Sequence, residues 1–263
     1  MKLIDPSFEI LEQAPGIQGV KKQIERAGRT CYKSEDKITD TSCEEFVNRM
    51  VNSGHGAMLE HGTVYLYLPI DDNNFSKLLE KYTENKYTVV NQKQFVTTNY
   101  RVLVENGWLD DLQYQCEPTE YHERRITVKF ICDRGVSHEF VRHRVSSFAQ
   151  ESTRYCNYMK DKFGTSVSFI YPEWLQDSEY LEFEEDCRIL EIMYAKWINK
   201  GWTAQQARYF LPTGVKTELI MTGFALDWLH FFQLRCHSTA HPQARELAVP
   251  LKEEFIKKGF ING

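Results

Sequence analysis

The chain has 263 residues, of which 42% are hydrophobic and 26% are charged, as is usual for a soluble globular protein. Its formal net charge of −5 gives no overall attraction for nucleic acids or anionic membranes. No apolar run reaches the ~18 residues that a membrane-spanning helix needs. The first ten residues include acids and a proline, unlike a signal peptide. Seven scattered cysteines without a C-x-x-C pair favour reduced thiols in a cytoplasmic protein.

The first third of the chain predicts two helices and one strand. The first helix is expected over 17–26. The second begins after Asp40 or Thr41, either of which can cap it, and ends at Gly54. The strand Val64–Leu68 is rich in Tyr and Leu and is followed by a proline.

The segment 71–122 is polar and irregular, apart from a helix expected near 74–82. It has the character of an insertion or of an edge of the fold. No internal repeat or low-complexity linker divides the sequence, so a single domain over 1–263 is expected.

The second half of the chain mixes strands and helices without regular βαβ alternation, which predicts an α+β fold with a mixed or antiparallel sheet flanked by helices. Its predicted elements are a strand over 126–132, a turn at 133–135, helices over 136–143 and 178–199, a short helix capped by Thr203 that carries Arg208 and stops near Pro212, a strand over 216–222, a helix over 225–235, and a last helix that starts at Pro242 and is kinked or broken at Pro250.

Arginine is concentrated in the middle of this acidic chain. Six arginines fall within 31 residues, at positions 124, 125, 134, 142, 144 and 154. A guanidinium presents a planar fork of donors that suits phosphate and carboxylate oxygens, and Ser146, Ser147 and Ser152 add hydroxyl groups to the same stretch. Composition alone leaves three interpretations open: an anion-binding site, a solvated surface, or a nucleic-acid-binding module.

The spacing within this stretch is more specific. Arg142-His143-Arg144 is followed by seven residues and Ser152, and then by Thr153-Arg154-Tyr155. This pattern resembles the R-H-R-x(7)-S signature of flavin-dependent thymidylate synthases.

Three further elements resemble the same family and occur in the family's order. The segment 55–61, with His55, Glu60 and His61, is similar to H-x-x-x-x-E-H beside the flavin. The segment 207–212 is similar to A-R-x-x-L-P, and Leu234-Arg235 with 241–243 is similar to the C-terminal L-R…H-x-Q. The resemblance spans 55–243 and leaves out the N-terminal helices and the segment 71–122.

The resemblance implies a reaction in which dUMP is methylated to dTMP. Methylenetetrahydrofolate supplies the carbon, NADPH reduces FAD, and the reduced flavin supplies hydride. It also implies a homotetramer with active sites at subunit interfaces, and it implies neither nucleic-acid nor membrane partners. The family lacks a covalent protein nucleophile, so positioning and electrostatics are expected to carry the catalysis.

The resemblance also assigns roles to individual residues. Arg235 corresponds to the residue that polarises the uracil ring and is the expected catalytic residue. Ser152 is expected to bind dUMP rather than to act as a nucleophile. The full dUMP-binding set is Glu139, Arg142, Gln150, Glu151, Ser152, Thr153, Arg154, Arg208 and Arg235. The expected FAD-binding set is His55, Glu60, Arg142, His143, Arg144, Gln150 and His230.

The sequence departs from the commoner family pattern at several of these positions. Gln150 stands where many members have Glu, and Glu139 stands where Gln is frequent. Ala57 replaces a usual Ser or Thr, and His230 replaces a frequent Asn. Phe224 and Leu226 occupy positions that often carry Asn and Arg, so flavin contacts from 225–235 are the least secure part of the comparison.

Other signatures are absent from the sequence. It has no G-x-G-x-x-G, no P-loop and no cysteine preceded by proline, the context of the nucleophile in classical thymidylate synthases. Cys236 and His237 with His241 resemble part of a zinc site but lack an evident fourth ligand, so no metal is expected. A metal-dependent hydrolase using the scattered histidines stays open as an alternative, as does the nucleic-acid-binding module.

Overall fold

The structure, a computed structural model, describes residues 1–70, 81–160 and 164–262. Its strands are β1 Lys2–Ile4, β2 Ser7–Ile10, β3 Thr63–Pro69, β4 Lys86–Val90, β5 Lys93–Asn99, β6 Arg125–Asp133, β7 Ser147–Gln150, β8 Ser168–Ile170 and β9 Lys216–Phe224. Its α-helices are α1 Gly16–Tyr32, α2 Ser42–Asn52, α3 Gly56–Leu59, α4 Tyr100–Glu105, α5 Arg134–Phe140, α6 Tyr180–Asn199, α7 Ala204–Ala207, α8 Ala225–Arg235 and α9 Pro242–Lys257.

The strands form two antiparallel sheets and one short parallel pair. The larger sheet has the order β2-β6-β9-β7, and the smaller has the order β3-β5-β4. The parallel pair joins β1 to β8. Helices and mostly antiparallel strands therefore build the chain together, which confirms the predicted α+β class.

The larger sheet carries the main hydrophobic core. Its strands β6 and β9 pack against α5, α8 and α9 through fully buried aromatic side chains. Trp228 lies at the centre of this core and donates a hydrogen bond from its indole N–H to the carbonyl of Ile126 at 3.2 Å. Burying each large side chain of this kind contributes about 1.5–3 kcal/mol, so α5 and α8 are held firmly on the sheet that carries the candidate site.

A second core lies between the smaller sheet and the N-terminal helices α1 and α2. Within α1, Gly28 packs against Phe46, and a Cβ at this position would lie 2.4 Å from the Phe46 ring. The helix continues past 26, where the sequence predicted its end, and stops at Tyr32, followed by Lys33 in the left-handed region.

The structure corrects the description of the segment 71–122 as irregular. Residues 86–99 form the strands β4 and β5, which pair with each other, and β5 also pairs with β3. Tyr82, Val96 and Leu103 are fully buried. These strands contain β-branched and aromatic residues, which favour strands, but the polar residues between them hid the pattern in the sequence. The helix expected near 74–82 lies almost wholly outside the described residues.

Two smaller expectations were also wrong. The turn expected at 133–135 is the start of α5, because the Asp133 carboxylate caps the helix by accepting from the N–H of Val136 at 2.8 Å. The last helix was expected to be kinked or broken at Pro250, and it is not broken there, since α9 continues to Lys257. Leu247 and Leu251 on either side are buried in the main core, and their packing offsets the one missing backbone hydrogen bond.

The other predicted elements are confirmed within a few residues. The helices over 178–199 and 225–235 and the strand over 216–222 correspond to α6, α8 and β9. Thr203 caps α7 in a reciprocal arrangement with Gln206. In the described part of the chain, no helix is long and apolar enough to cross a membrane.

Candidate active site

The R-H-R segment and Ser152 lie at opposite ends of strand β7. Arg142, His143 and Arg144 form the turn between α5 and β7, and Ser152 follows two residues after the strand. β7 pairs antiparallel with β9, with Ser147 opposite Thr222 and Gln150 opposite Leu219. Of the seven residues between Arg144 and Ser152, four form β7, an edge strand of the larger sheet.

The first group of site residues surrounds the guanidinium of Arg235 at the end of α8. Its Nε donates to Nε2 of His143 at 3.1 Å, one terminal nitrogen donates to the Glu139 carboxylate, and the other donates to the Glu139 carbonyl at 2.8 Å. The ring of His230 lies 5.8 Å from that of His143. These four residues are here called the Arg235 cluster: Glu139 and His143 come from α5 and the turn after it, and His230 and Arg235 come from α8.

The electrostatics of the Arg235 cluster keep His143 neutral. Burial, the positive charge of Arg235 and the nearby His230 together lower the pKa of His143 to about 4. Because Nε2 accepts a hydrogen bond from Arg235, the ring proton belongs on Nδ1. Burial also lowers the pKa of Arg235, and the Glu139 carboxylate opposes that shift.

The two arginines of the R-H-R segment are free of such restraints. Arg142 and Arg144 are exposed, and their side chains make no hydrogen bond or ion pair with any part of the chain that the structure describes. Ser146, just after them, is buried, and its hydroxyl has no hydrogen-bond partner among the described residues. This turn therefore presents cationic and polar groups whose hydrogen-bonding capacity is unused within the chain.

The second group is the loop 152–154, here called the Ser152 loop, with Arg208. Thr153 accepts a hydrogen bond from Arg208 at 3.4 Å, and Arg154 donates from Nε to the side-chain oxygen of Gln205 at 3.0 Å. Both arginines are exposed. Gln205 was not among the predicted site residues, and no signal in the sequence distinguishes it from the neighbouring Gln206.

Two predicted dUMP-binding side chains point into the protein instead. The Glu151 carboxylate is buried and accepts hydrogen bonds from the Tyr158 hydroxyl at 2.9 Å and from Lys216 at 2.8 Å. Gln150 donates to Ser137 at 2.8 Å and to Thr217 at 3.2 Å. Their role as ligand contacts stays a prediction, but both side chains already have protein partners.

The histidine element 55–61 lies at α3, which packs against α1 and β7. His55 precedes α3 and is exposed, whereas the Glu60 carboxylate pairs with Arg101, a residue outside the predicted set. His61 is fully buried and contacts the Thr222 hydroxyl at 2.8 Å. Burial and the charge of Arg125 lower the pKa of His61 to about 3, so it is a neutral structural group.

The structure thus assembles the predicted residues into separate groups. Glu139, His143, His230 and Arg235 lie together, and Thr153, Arg154 and Arg208 lie together. None of the hydrogen bonds among residues 1–70, 81–160 and 164–262 joins the first group to the second. Within that part of the chain, no three His, Cys, Asp or Glu residues are placed to hold a metal ion.

Comparison with known proteins identifies the family of the chain. The family model described as "Thymidylate synthase complementing protein" matches residues 117–258, more than half of the chain. The chain belongs to this family. The match includes the R-H-R signature, Arg208 and Arg235, while the histidine element 55–61 lies before it.

Curated relatives of the chain carry a more specific description. The flavin-dependent thymidylate synthase of Pyrococcus furiosus is 33% identical over 133 residues, which cover 49% of this chain and 53% of the relative. That of Geobacter sulfurreducens is 34% identical over 120 residues, covering 45% and 50%. That of Pyrococcus horikoshii is 35% identical over 129 residues, covering 48% and 52%. The chain spans about half the length of the curated relatives it matches.

Proposed function

We propose that this member of the thymidylate synthase complementing protein family is a flavin-dependent thymidylate synthase that methylates dUMP to dTMP. The observation that carries the proposal is the Arg235 cluster, in which a guanidinium is held by Glu139 and by His143 of the R-H-R signature. Relatives named flavin-dependent thymidylate synthase support the same activity.

The chain's residues fit an anionic flavin nucleotide. Arg142 and Arg144 are exposed cations whose side chains have no partner among the described residues, and the buried Ser146 hydroxyl nearby is also unpartnered. Guanidinium forks suit the two phosphates of FAD. These three residues, with His55 and His143, would hold the flavin, which when reduced by NADPH supplies hydride to the reaction.

Arg235 is suited to act on the uracil ring. A guanidinium has five N–H groups, of which three are used by Glu139 and His143, so one N–H remains on each terminal nitrogen. Placed at the uracil edge, these two groups would stabilise negative charge on the ring oxygen and make C5 nucleophilic. Glu139 and His143 fix the guanidinium in place, so little reorganisation is needed during the reaction.

The Ser152 loop is suited to the phosphate and sugar of dUMP. Arg154 and Arg208 are exposed, and each uses only part of its guanidinium on Gln205 or Thr153. The remaining N–H groups can donate to phosphate oxygens, and the Ser152 hydroxyl adds a further polar contact. Methylenetetrahydrofolate as carbon donor, a cytoplasmic location and a homotetramer complete the proposal.

The purified protein provides a direct test. It should show flavin absorbance near ~450 nm, or gain it when FAD is added, because that band belongs to the bound cofactor. With dUMP, methylenetetrahydrofolate and NADPH it should form dTMP. A colourless protein that neither binds added FAD nor forms dTMP would contradict the proposal.

A further inference from the structure

Five buried or half-buried charges form a cluster beneath the Ser152 loop. This lysine–glutamate cluster consists of Lys33, Lys129, Lys216, Glu151 and Glu218. It joins the residue that directly follows α1, the strands β6 and β9, and the residue that directly follows β7. Four separate parts of the chain therefore meet through charged side chains.

Lys216 links the two glutamates of the cluster. Its Nζ lies 2.8 Å from Glu151 and 2.5 Å from Glu218, and Glu218 also pairs with Lys33 and, at 2.6 Å, with Lys129. The side chains of Glu151 and Glu218 are only 1% and 6% exposed. Burial disfavours the charged Glu218, but Lys216 and Lys33 outweigh it and lower the pKa of Glu218.

A cluster of this kind is a poor way to gain stability alone. Desolvating each charge costs several kcal/mol, and well-packed apolar residues of similar volume stabilise a core at least as well. Charged pairs do fix relative orientation, because each donor and acceptor must meet in one geometry. The position of the cluster in the fold determines which segment of the chain it orients.

The part of the chain that the cluster orients is the Ser152 loop. The Glu151 N–H donates to the Glu218 carbonyl at 2.8 Å, and the Ser152 N–H donates to the Cys31 carbonyl at 3.0 Å. The Glu151 carboxylate adds two side-chain anchors, Tyr158 and Lys216. Ser152, Thr153 and Arg154 follow directly, so the direction in which they leave β7 depends on Glu151.

We propose that Glu151 is a positioning residue that fixes the Ser152 loop through Lys216 and Tyr158, rather than a residue that contacts the substrate with its carboxylate. The assignment of dUMP to this loop rests on the proposed function, whereas the fixing of the loop does not. Lys216 is the matching partner on β9, and neither Lys216 nor Tyr158 was predicted from the sequence as part of the site.

The test is Glu151→Gln, which keeps the shape of the side chain and an acceptor for Tyr158 but removes the charge opposite Lys216. Glu25→Gln is the matched control. Glu25 is also 1% exposed, and it pairs with Arg29 at the same 2.8 Å, within α1. Because both variants lose one buried ion pair, an effect seen only in Glu151→Gln cannot be due to a general loss of thermal stability.

Hydrogen exchange measures how firmly the Ser152 loop is held and does not depend on catalytic activity. In Glu151→Gln, the N–H groups of Ser152, Tyr155 and Cys156 should exchange about tenfold faster, because they close this loop onto Cys31 and Ser152. Glu25→Gln should leave them unchanged. Equal exchange at these three positions in both variants and wild type would overturn the positioning role, whatever reaction the chain catalyses.

Steady-state kinetics then connects the loop to the substrate. Glu151→Gln should raise the KM for dUMP about tenfold and change kcat by less than about threefold, since misplaced binding groups weaken ground-state and transition-state contacts together. Flavin content should stay at the wild-type level. A fall in kcat at unchanged KM would instead place Glu151 in the chemistry and contradict the inference.

Substitutions at Lys216 provide the conservative comparison. Lys216→Arg keeps the positive charge and should retain a KM for dUMP within about threefold of wild type. Lys216→Met should raise it as Glu151→Gln does, and the double variant should be little worse than either single one, because the two residues act as one pair. Full additivity in the double variant would show that they do not act together.

Discussion

Two arginine environments in this chain differ in how firmly the guanidinium is held. Arg235 is 13% exposed at its side chain and uses three of its N–H groups on Glu139 and His143. Arg154 and Arg208 are exposed and each has one polar side-chain contact, to Gln205 and Thr153. The first sits on an α-helix packed in the main core, and the others lie on a loop and a short 3₁₀ turn.

This difference matches the two tasks that the proposed synthase activity requires. A group that stabilises charge developing in the transition state acts best when it is fixed beforehand. A group that binds a phosphate makes a contact that changes little during the reaction, so it can be ordered by the ligand itself. Under the proposed function, we therefore expect chemistry at Arg235 and binding at Arg154 and Arg208.

The largest expected effect is at Arg235. Arg235→Ala should retain FAD but lower kcat for dTMP formation by about 10²–10³-fold, the usual cost of removing a donor to a developing anion. Arg235→Lys keeps the charge but loses the fork and should recover only part of the rate. Steady-state kinetics at saturating dUMP, with flavin content checked, provides the measurement. A wild-type kcat in Arg235→Ala would move the activating role elsewhere, with Arg208 the next candidate.

The next effect concerns His143, which belongs to the firmly held environment. Its pKa of about 4 lies below the ordinary ~6.5 of an unfolded histidine, so the folded state disfavours the proton. Its contribution to stability is therefore fully present above pH ~6.5 and is lost as the pH falls toward 4, by on the order of 3 kcal/mol.

Urea unfolding of wild type and His143→Gln between pH 7 and pH 4 measures this contribution. Glutamine does not titrate, so the variant should lose less unfolding free energy over that range than wild type. Part of the wild-type decline should persist in the variant, because His61 has its pKa lowered for the same reason. Parallel curves for the two proteins would show that His143 is not held neutral.

A smaller effect is expected in the exposed environment. Arg154→Ala should raise the KM for dUMP about tenfold, near 1.4 kcal/mol, with kcat changed far less than in Arg235→Ala. Gln205→Ala is the matched control, because it removes the protein partner of Arg154 and leaves its charge. The comparison between the two environments fails if Arg154→Ala lowers kcat as strongly as Arg235→Ala.

The smallest expected effect is at the cysteines beside both environments. Cys31 lies under the Ser152 loop, and Cys236 follows Arg235. Burial raises the pKa of Cys31 to about 11 and also raises that of Cys236, so neither forms a reactive thiolate near neutral pH. Cys31→Ala and Cys236→Ala should form dTMP within about twofold of the wild-type rate. Loss of activity in either variant, if folded and flavin-bound, would contradict the expectation that no cysteine is essential.

The parts of the fold that were predicted correctly have strong local signals. The helix over 225–235 ends at the predicted residues, and Thr203 caps α7 as expected. Strand β7 was missed because its four residues lie inside the Arg- and Ser-rich stretch, and its hydrogen bonds come from β9, about 70 residues later. Such pairing depends on tertiary structure, which a local pattern does not contain.

In the candidate site, too, the sequence indicated individual residues but not the contacts between them. Arg235 and Glu139 are 96 residues apart in sequence, so a motif identifies each but not their contact. The inward orientation of the Glu151 carboxylate depends on Lys216, 65 residues away. The resemblance named candidate site residues, and the packing of β7, β9 and α8 determines which of them lie together.

The shortness of strand β7 has a consequence for mixtures of variants. At about 3.3 Å per residue, its four residues separate the R-H-R turn from the Ser152 loop by roughly 10 Å or more. A ligand that contacts both the R-H-R turn and the Ser152 loop of one chain must therefore be extended. A compact ligand can contact both groups only if two copies of the chain each contribute one of them. If neighbouring copies each contribute one end of β7, Arg235→Ala and Arg154→Ala subunits that are unfolded and reassembled together should form dTMP faster at low dUMP than either variant does alone. If one chain supplies both ends to the same ligand, the mixture should be no more active than the average of the two variants measured separately.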